Sequence, residues 1–194
     1  MEGPSNFFIT GDAEADGLLA REPLALLLGM MLDQQVPMEW AFGSPARLAQ
    51  RLGGRLDAAE IAEMDPEALT AAFKGPPALH RYPGSMAKRA HELCRVLVDH
   101  YDGRAENVWT DVATGAELLD RLRSLPGFGD EKARIFVAVL AKRRGVCPPG
   151  WEEAAAPFSD DLRRSVADVD SPETLEEVRA FKKARKAAGK GKAD

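Results

Sequence analysis

The sequence of 194 residues has few cysteines and histidines and no long apolar run. Its two cysteines, Cys94 and Cys147, exclude a disulfide scaffold and a four-cysteine iron–sulfur cluster. The three histidines do not stand at zinc-ligand spacing with these cysteines, so we expect no metal site built from side chains. The longest apolar runs, residues 24–32 and 135–140, fall short of the roughly 20 residues of a membrane-spanning helix. The N-terminus also lacks the basic and apolar segments of a secretory signal, and we therefore expect a soluble, cytoplasmic protein with no membrane partner.

The net charge of −5 is unevenly distributed along the chain. Residues 1–74 carry 5 Lys and Arg against 12 Asp and Glu, whereas residues 75–150 carry 12 against 9. Attraction to a polyanion depends on local cations rather than on total charge. The central segment is therefore where a phosphate-binding face is expected.

Apolar and polar residues do not alternate with the period of two that is typical of a strand. Residues that typically begin and end helices, in contrast, recur throughout the chain. Start signals occur at Ser44-Pro45, Asp57, Asp65-Pro66, Thr114 and Ser171-Pro172. Longer helices are predicted over residues 86–100 and 130–144. The sequence thus predicts an all-α fold. We expect an N-terminal segment, 1–21, that packs on the core, a helical domain over 22–170, and a C-terminal helix with a basic tail over 171–194.

The most informative segment is L-P-G-F-G-D-E-K-A at residues 125–133, which connects two predicted helices in a hairpin over residues 115–144. Gly127 and Gly129 allow the backbone to approach a phosphate closely. The second helix then presents its N-terminal amides and the positive end of its dipole to that phosphate. Phe128 is expected to pack beneath the turn. The alternative is an ordinary turn in which a glycine ends one helix and Asp130 caps the next.

This segment resembles the hairpin of the helix-hairpin-helix DNA glycosylase superfamily, HhH-GPD. Residues 31–36, M-L-D-Q-Q-V, are similar to the helix end I-L-x-Q-Q of that superfamily, and residues 85–90, S-M-A-K-R-A, are similar to a helix start in its 3-methyladenine glycosylase branch. The resemblance covers residues 22–145. It implies two helical lobes around a cleft, duplex DNA bent across it, one nucleotide flipped into a pocket, and a monovalent cation coordinated by hairpin carbonyls.

The resemblance also implies which residues contact DNA. Gln35 matches the position from which family members fill the gap left by a flipped base, although a polar residue there can also cap the helix end. The predicted DNA contacts are Gly127, Phe128, Gly129, Lys132, Arg134, Gln35, Lys88 and Arg89. The predicted base pocket contains Trp40, His80 and Tyr82. The alternatives for the pocket place Trp40 in the core and the Tyr82 ring under an exposed loop.

Cleavage of a base from C1′ requires a carboxylate near the sugar, because positive charge develops there. Bifunctional family members carry a nucleophilic lysine where this chain has Glu131. Lys132, one residue later, is rotated by about 100° on a helix, so a lyase is disfavoured. The window in which the family places an aspartate, residues 146–153, has none. The candidate carboxylates are Glu152, the first choice, and Glu153, Asp160 and Asp161; the alternative is that all four are solvated surface charges.

Three functions are consistent with these features. The first is a monofunctional, monomeric DNA glycosylase of base excision repair that acts on a damaged base in double-stranded DNA. The second is an inactive relative that binds damaged or distorted duplex. The third is a helical protein-interaction domain whose hairpin packs internally.

Overall fold

The computed structural model describes residues 7–191 and 193–194. These residues form ten α-helices and two short 3₁₀ turns, at Ala105–Val108 and Val166–Asp168, and contain no strand. The predicted all-α fold is confirmed. The helices are α1 (Ala13–Arg21), α2 (Pro23–Leu32), α3 (Met38–Arg51), α4 (Ala58–Glu63), α5 (Pro66–Lys74), α6 (Pro83–Tyr101), α7 (Gly115–Arg123), α8 (Asp130–Arg144), α9 (Trp151–Ala155) and α10 (Pro172–Ala187). None of these helices combines the length and the apolarity needed to cross a bilayer.

Helix α2 lies in the core because it is apolar on every face. Each of its residues from Leu24 to Leu32 is buried. A Cβ atom on Gly29 would lie 2.6 Å from the ring of Phe42, so α2 and α3 pack in close contact. The C-terminal end of α2 is therefore fixed by packing, and the next residues, 33–37, emerge as a loop that we call the Gln loop.

Helices α1 to α6 pack on one another, with α2 and α6 each contacting several neighbours, and α7 and α9 pack against α8. Like α2, α8 is largely buried, and the ring of its Phe136 meets Trp109 and Phe128 edge-to-face, each at a centroid distance of 5.9 Å. The candidate site lies where the C-terminal end of α2 meets the N-terminal end of α8.

Most predicted helix starts are confirmed by their caps. The side chains of Asp57, Asp65, Thr114 and Ser171 each accept a hydrogen bond from a backbone N–H of the helix that follows. Helix α8 has the predicted bounds, and α6 begins three residues before its predicted start. The short helix α9 was not expected from the sequence.

The helix start predicted at Ser44-Pro45 is wrong, because α3 runs through both residues. The Ser44 hydroxyl lies 2.8 Å from the carbonyl oxygen of Trp40, one helical turn earlier, and 2.6 Å from that of Leu79. A serine that bonds back to the preceding turn belongs to a helix interior rather than to a cap. Both Ser44 and Pro45 are buried, so packing against the core outweighs the local signal.

Candidate nucleic-acid interface

The turn between α7 and α8 is a compact hairpin. The N–H of Phe128 donates to the carbonyl of Leu125 at 3.1 Å, and Gly127 has φ +86°, in the region that favours glycine. The Phe128 side chain is only 6% exposed and packs against Phe136, which confirms the expectation that it lies beneath the turn. Any contact that Phe128 makes with DNA is consequently through its backbone.

The N-terminal end of α8 is open. Gly129 is the N-cap residue, and no side chain among the described residues caps this end of the helix. A Cβ atom on Gly129 would have no neighbour within 4 Å. Asp130 is the first helical residue rather than the cap, and its carboxylate pairs with Arg134 and Arg123, which lower its pKa. The backbone at this end of the helix is therefore accessible, as it must be for a helix N-terminus to bind an anion.

A groove of about 400 Å³ separates this hairpin from the start of the Gln loop. It is lined by Met30, Asp33, Gln34, Gly127, Gly129, Asp130, Glu131, Lys132 and Ile135. The hairpin glycines and the residues next to Gln35, far apart in the sequence, thus face one cavity.

Two cations connect the walls of the groove. The Nζ atom of Lys132 donates to the carbonyl oxygen of Met31 at 2.8 Å, where the dipole of α2 favours a positive charge. The guanidinium of Arg89 donates to the Gln34 side chain at 3.2 Å, and the Arg89 methylene groups pack against Gly127. The hairpin, α6 and the Gln loop are therefore joined directly.

Gln35 is exposed and has φ +56°, a left-handed conformation that is uncommon for a residue other than glycine. Such a backbone costs on the order of 1–3 kcal/mol and persists only where its surroundings enforce it. Strained residues of this kind cluster at functional sites.

The residues of the predicted base pocket do not line this groove. His80 is fully buried; its Nε2 lies 3.0 Å from the carbonyl oxygen of Gln34, and its Nδ1 accepts the N–H of Tyr82. Burial lowers the pKa of His80. Tyr82 is 46% exposed with the Arg81 guanidinium over its ring, and Trp40 is half-buried and donates to the carbonyl of Ala78. The base pocket stays a prediction.

The four predicted phosphate-binding cations have different surroundings. Lys132 lines the groove, and Arg89 contacts Gln34 and Gly127, two of the residues that line it. Lys88 projects from α6 with 80% of its side chain exposed and is 4.0 Å from Glu92. Arg134 bonds to Asp130 and to the carbonyl of Ala154 in α9, so it faces away from the Gln loop.

A family model described as HhH-GPD superfamily base excision DNA repair protein matches residues 28–186, most of the chain. The chain belongs to the HhH-GPD superfamily. A solved structure of a trapped endonuclease III–DNA covalent intermediate, an estranged-adenine complex, is 18% identical to it. That similarity covers 87% of this chain and 78% of the other, with a TM-score of 0.45. No curated protein matches. The superfamily expected from the sequence is confirmed, and the 3-methyladenine branch stays a prediction.

The four carboxylates predicted for catalysis lie outside the groove of this HhH-GPD protein. Glu152 and Glu153 are exposed on α9, Asp161 is exposed, and Asp160 pairs with Arg164 at 2.7 Å. The groove instead contains Asp33 and Glu131. Asp33 was missed as a candidate, although it directly precedes the two glutamines that marked the family motif. Catalysis by residues 152–161 stays a prediction.

No group of three or more His, Cys, Asp or Glu side chains in the described part of the chain is placed to hold a metal. The Asp130 carboxylate is already paired with two arginines. The monovalent cation that the resemblance implies, coordinated by carbonyl oxygens of the turn between α7 and α8, stays a prediction.

Proposed function

We propose that this HhH-GPD protein binds duplex DNA across the hairpin groove and releases a damaged base as a monofunctional glycosylase. The observation that supports this proposal is the single groove shared by the hairpin glycines and the Gln loop. One wall suits a phosphate, and the other contains Asp33 and Gln34, which directly precede Gln35, the residue that matches the family position for filling a vacated base stack.

The hairpin wall binds the DNA backbone without reading sequence. A phosphate fits at Gly129, where the N-terminal end of α8 is open and no Cβ atom intervenes. Arg89 on α6 bonds to Gln34 and adds positive charge beside the hairpin, and we expect the neighbouring, exposed Lys88 to contribute to the same attraction.

The chemistry we propose uses a carboxylate in the groove to stabilise the sugar cation as the C1′–N bond breaks. Asp33 is the first candidate because it is half-buried in the groove and its side-chain carboxylate makes no hydrogen bond or ion pair within the described residues. Glu131 is the second candidate. The Lys132 amine is bound to the carbonyl of Met31, which supports a hydrolytic reaction rather than attack by lysine.

The test is single-turnover base release from a panel of duplexes, each with one deaminated, oxidised or alkylated base. Asp33→Asn is expected to lower the release rate about 100-fold or more, the scale seen when one charge-stabilising group is removed. Glu131→Gln tests the second candidate, and Glu152→Gln, on exposed α9, serves as the matched control. Full activity in both groove variants, with loss in Glu152→Gln, would contradict the proposed site.

A second candidate function is binding of damaged or distorted duplex without catalysis. The observation in its favour is the lack of an aspartate in the family window, where α9 is preceded by Cys147-Pro148-Pro149-Gly150. Specific binding to a duplex with an abasic site, with no base released from any member of the panel, would favour this function.

A further inference from the structure

The buried histidine of the loop between α5 and α6 has both ring nitrogens engaged. Nδ1 of His80 accepts the backbone N–H of Tyr82 at 3.0 Å, so in the neutral ring the proton resides on Nε2. Nε2 then donates to the carbonyl oxygen of Gln34, also at 3.0 Å. His80 has no exposed surface, so it contacts neither solvent nor a ligand in the groove.

The carbonyl that His80 holds belongs to the peptide unit between Gln34 and Gln35. The orientation of this peptide plane sets the φ angle of Gln35, which is +56°. A left-handed glutamine persists only when its surroundings define it. The bond from His80 to Gln34 is such a constraint, and it acts directly on the strained residue.

The charged groups that hold this region differ from His80. Lys132 bonds to the Met31 carbonyl at the end of α2 and lines the groove, and Arg89 bonds to the Gln34 side chain and packs against Gly127, so both lie beside the proposed phosphate site. Replacing either would change DNA affinity and loop geometry together. His80 is buried and burial lowers its pKa, so its replacement separates the geometry of the loop from phosphate attraction.

We propose that His80 is a positioning residue that holds Gln35 in its left-handed conformation, ready to enter the base stack. This inference rests on the proposed function for the role of Gln35 in DNA. Its structural part, control of the Gln35 backbone by His80, is measurable without DNA.

The experiment compares His80→Asn with His80→Gln. The asparagine retains an acceptor for the Tyr82 N–H but is too short to reach the Gln34 carbonyl, whereas the glutamine provides a terminal N–H donor for it. His100→Asn, an exposed histidine at the end of α6, is the matched control. Thermal unfolding verifies that each variant is folded.

The first measurement is the ¹³Cα and ¹³Cβ chemical shifts of Gln35, which report its backbone conformation in the free protein. The second is the fluorescence of 2-aminopurine placed in a mismatch of a short duplex, which rises when the base leaves the stack. His80→Asn is expected to move the Gln35 shifts to ordinary values and to reduce the fluorescence rise about fivefold at saturation. Duplex affinity should stay within about twofold, because the phosphate contacts are unchanged.

His80→Gln is expected to restore both signals, and His100→Asn to leave them unchanged. Wild-type shifts of Gln35 in a folded His80→Asn variant would overturn the inference. If the wild-type protein binds the duplex without raising the fluorescence, the probing role of Gln35 in the proposed function fails, and the chemical shifts still decide whether His80 positions the loop.

Discussion

Gly127 and Gly129 are two residues apart in the hairpin but have different surroundings. Gly127 has φ +86°, and a Cβ atom there would lie 2.6 Å from Cδ of Arg89 and 2.8 Å from Cγ of Met31. Gly129 has φ −83° and would place a Cβ atom in open space. The first glycine is therefore required by the fold, and the second is required only if a ligand approaches.

Valine substitutions at these glycines are expected to separate stability from binding. Gly127→Val should lower the free energy of unfolding by about 2–4 kcal/mol, through backbone strain and overlap with Arg89. Gly129→Val should cost at most about 1 kcal/mol as an N-cap change, yet weaken duplex binding at least tenfold by blocking the phosphate. Urea unfolding and fluorescence anisotropy measure the two effects, with Gly43→Val on α3 as control. Undiminished binding by a folded Gly129→Val protein would contradict phosphate binding at the hairpin.

At the scale of elements, α8 is bound to its neighbours at both ends. Near its N-terminus Lys132 bonds to the end of α2, and near its C-terminus Lys142 pairs with Asp168 at 2.7 Å. Asp168 is 1% exposed, and its carboxylate also accepts the backbone N–H groups of Arg164 and Ser165. This carboxylate joins α8 to the segment that leads into α10.

Removal of the Asp168 carboxylate is expected to destabilise the fold strongly. Asp168→Ala leaves the partly buried Lys142 ammonium without its counter-ion and two buried amides without their acceptor, a loss of about 3 kcal/mol. Asp161→Ala, on the exposed surface nearby, should change stability by less than about 0.5 kcal/mol. Urea denaturation followed by circular dichroism measures both. A loss below about 1 kcal/mol for Asp168→Ala would show that this ion pair is not a structural link.

Local sequence signals such as capping residues predict the helix boundaries better than they predict the residues of the candidate interface. The caps at Asp57, Thr114 and Ser171 act within a few residues of the helices that they start, so the sequence reveals them. The helix start predicted at Ser44-Pro45 is wrong because both residues are buried in the core inside α3. The short helix α9 depends on packing against α7 and α8. Neither effect has a local sequence signature.

The candidate site depends on contacts between residues that are far apart in the sequence. The motifs at residues 31–36 and 125–133 were recognised from the sequence, and the structure brings them to one groove. The bond between Lys132 and Met31, however, spans 101 residues, and the bond between His80 and Gln34 spans 46. Pairings over such distances follow from the fold, so the sequence indicated the residue types but not their partners.

At the scale of the whole molecule, an acidic protein is proposed to bind a polyanion. The net charge is −5, but the central segment, residues 75–150, which contains the hairpin and α6, has an excess of cations. Local cations determine the attraction to phosphate, and the excess of acidic groups lies in residues 1–74. On the proposed function, the central segment therefore supplies the attraction to DNA.

Affinity for duplex DNA is accordingly expected to fall steeply with salt. The logarithm of the association constant should decrease linearly with that of the salt concentration, with a slope of about −0.9 per phosphate contacted. Lys88→Gln should reduce the magnitude of this slope by about 1, and Lys74→Gln, exposed at the end of α5, should leave it unchanged. Anisotropy titrations at several salt concentrations measure the slope. Binding that does not respond to salt would rule out a phosphate-directed interface.

The bond from Lys132 to the Met31 carbonyl has a consequence for how the protein would move along DNA. On the proposed function, it would fix the distance between a phosphate bound at the N-terminal end of α8 and the base step next to Gln35. The phosphate that binds at α8 would then determine which nucleotide lies next to Gln35 and is tested for damage. A duplex that bends easily could make both contacts at a low free-energy cost of deformation. Damage that makes the duplex easier to bend would therefore be recognised in part through that lower cost.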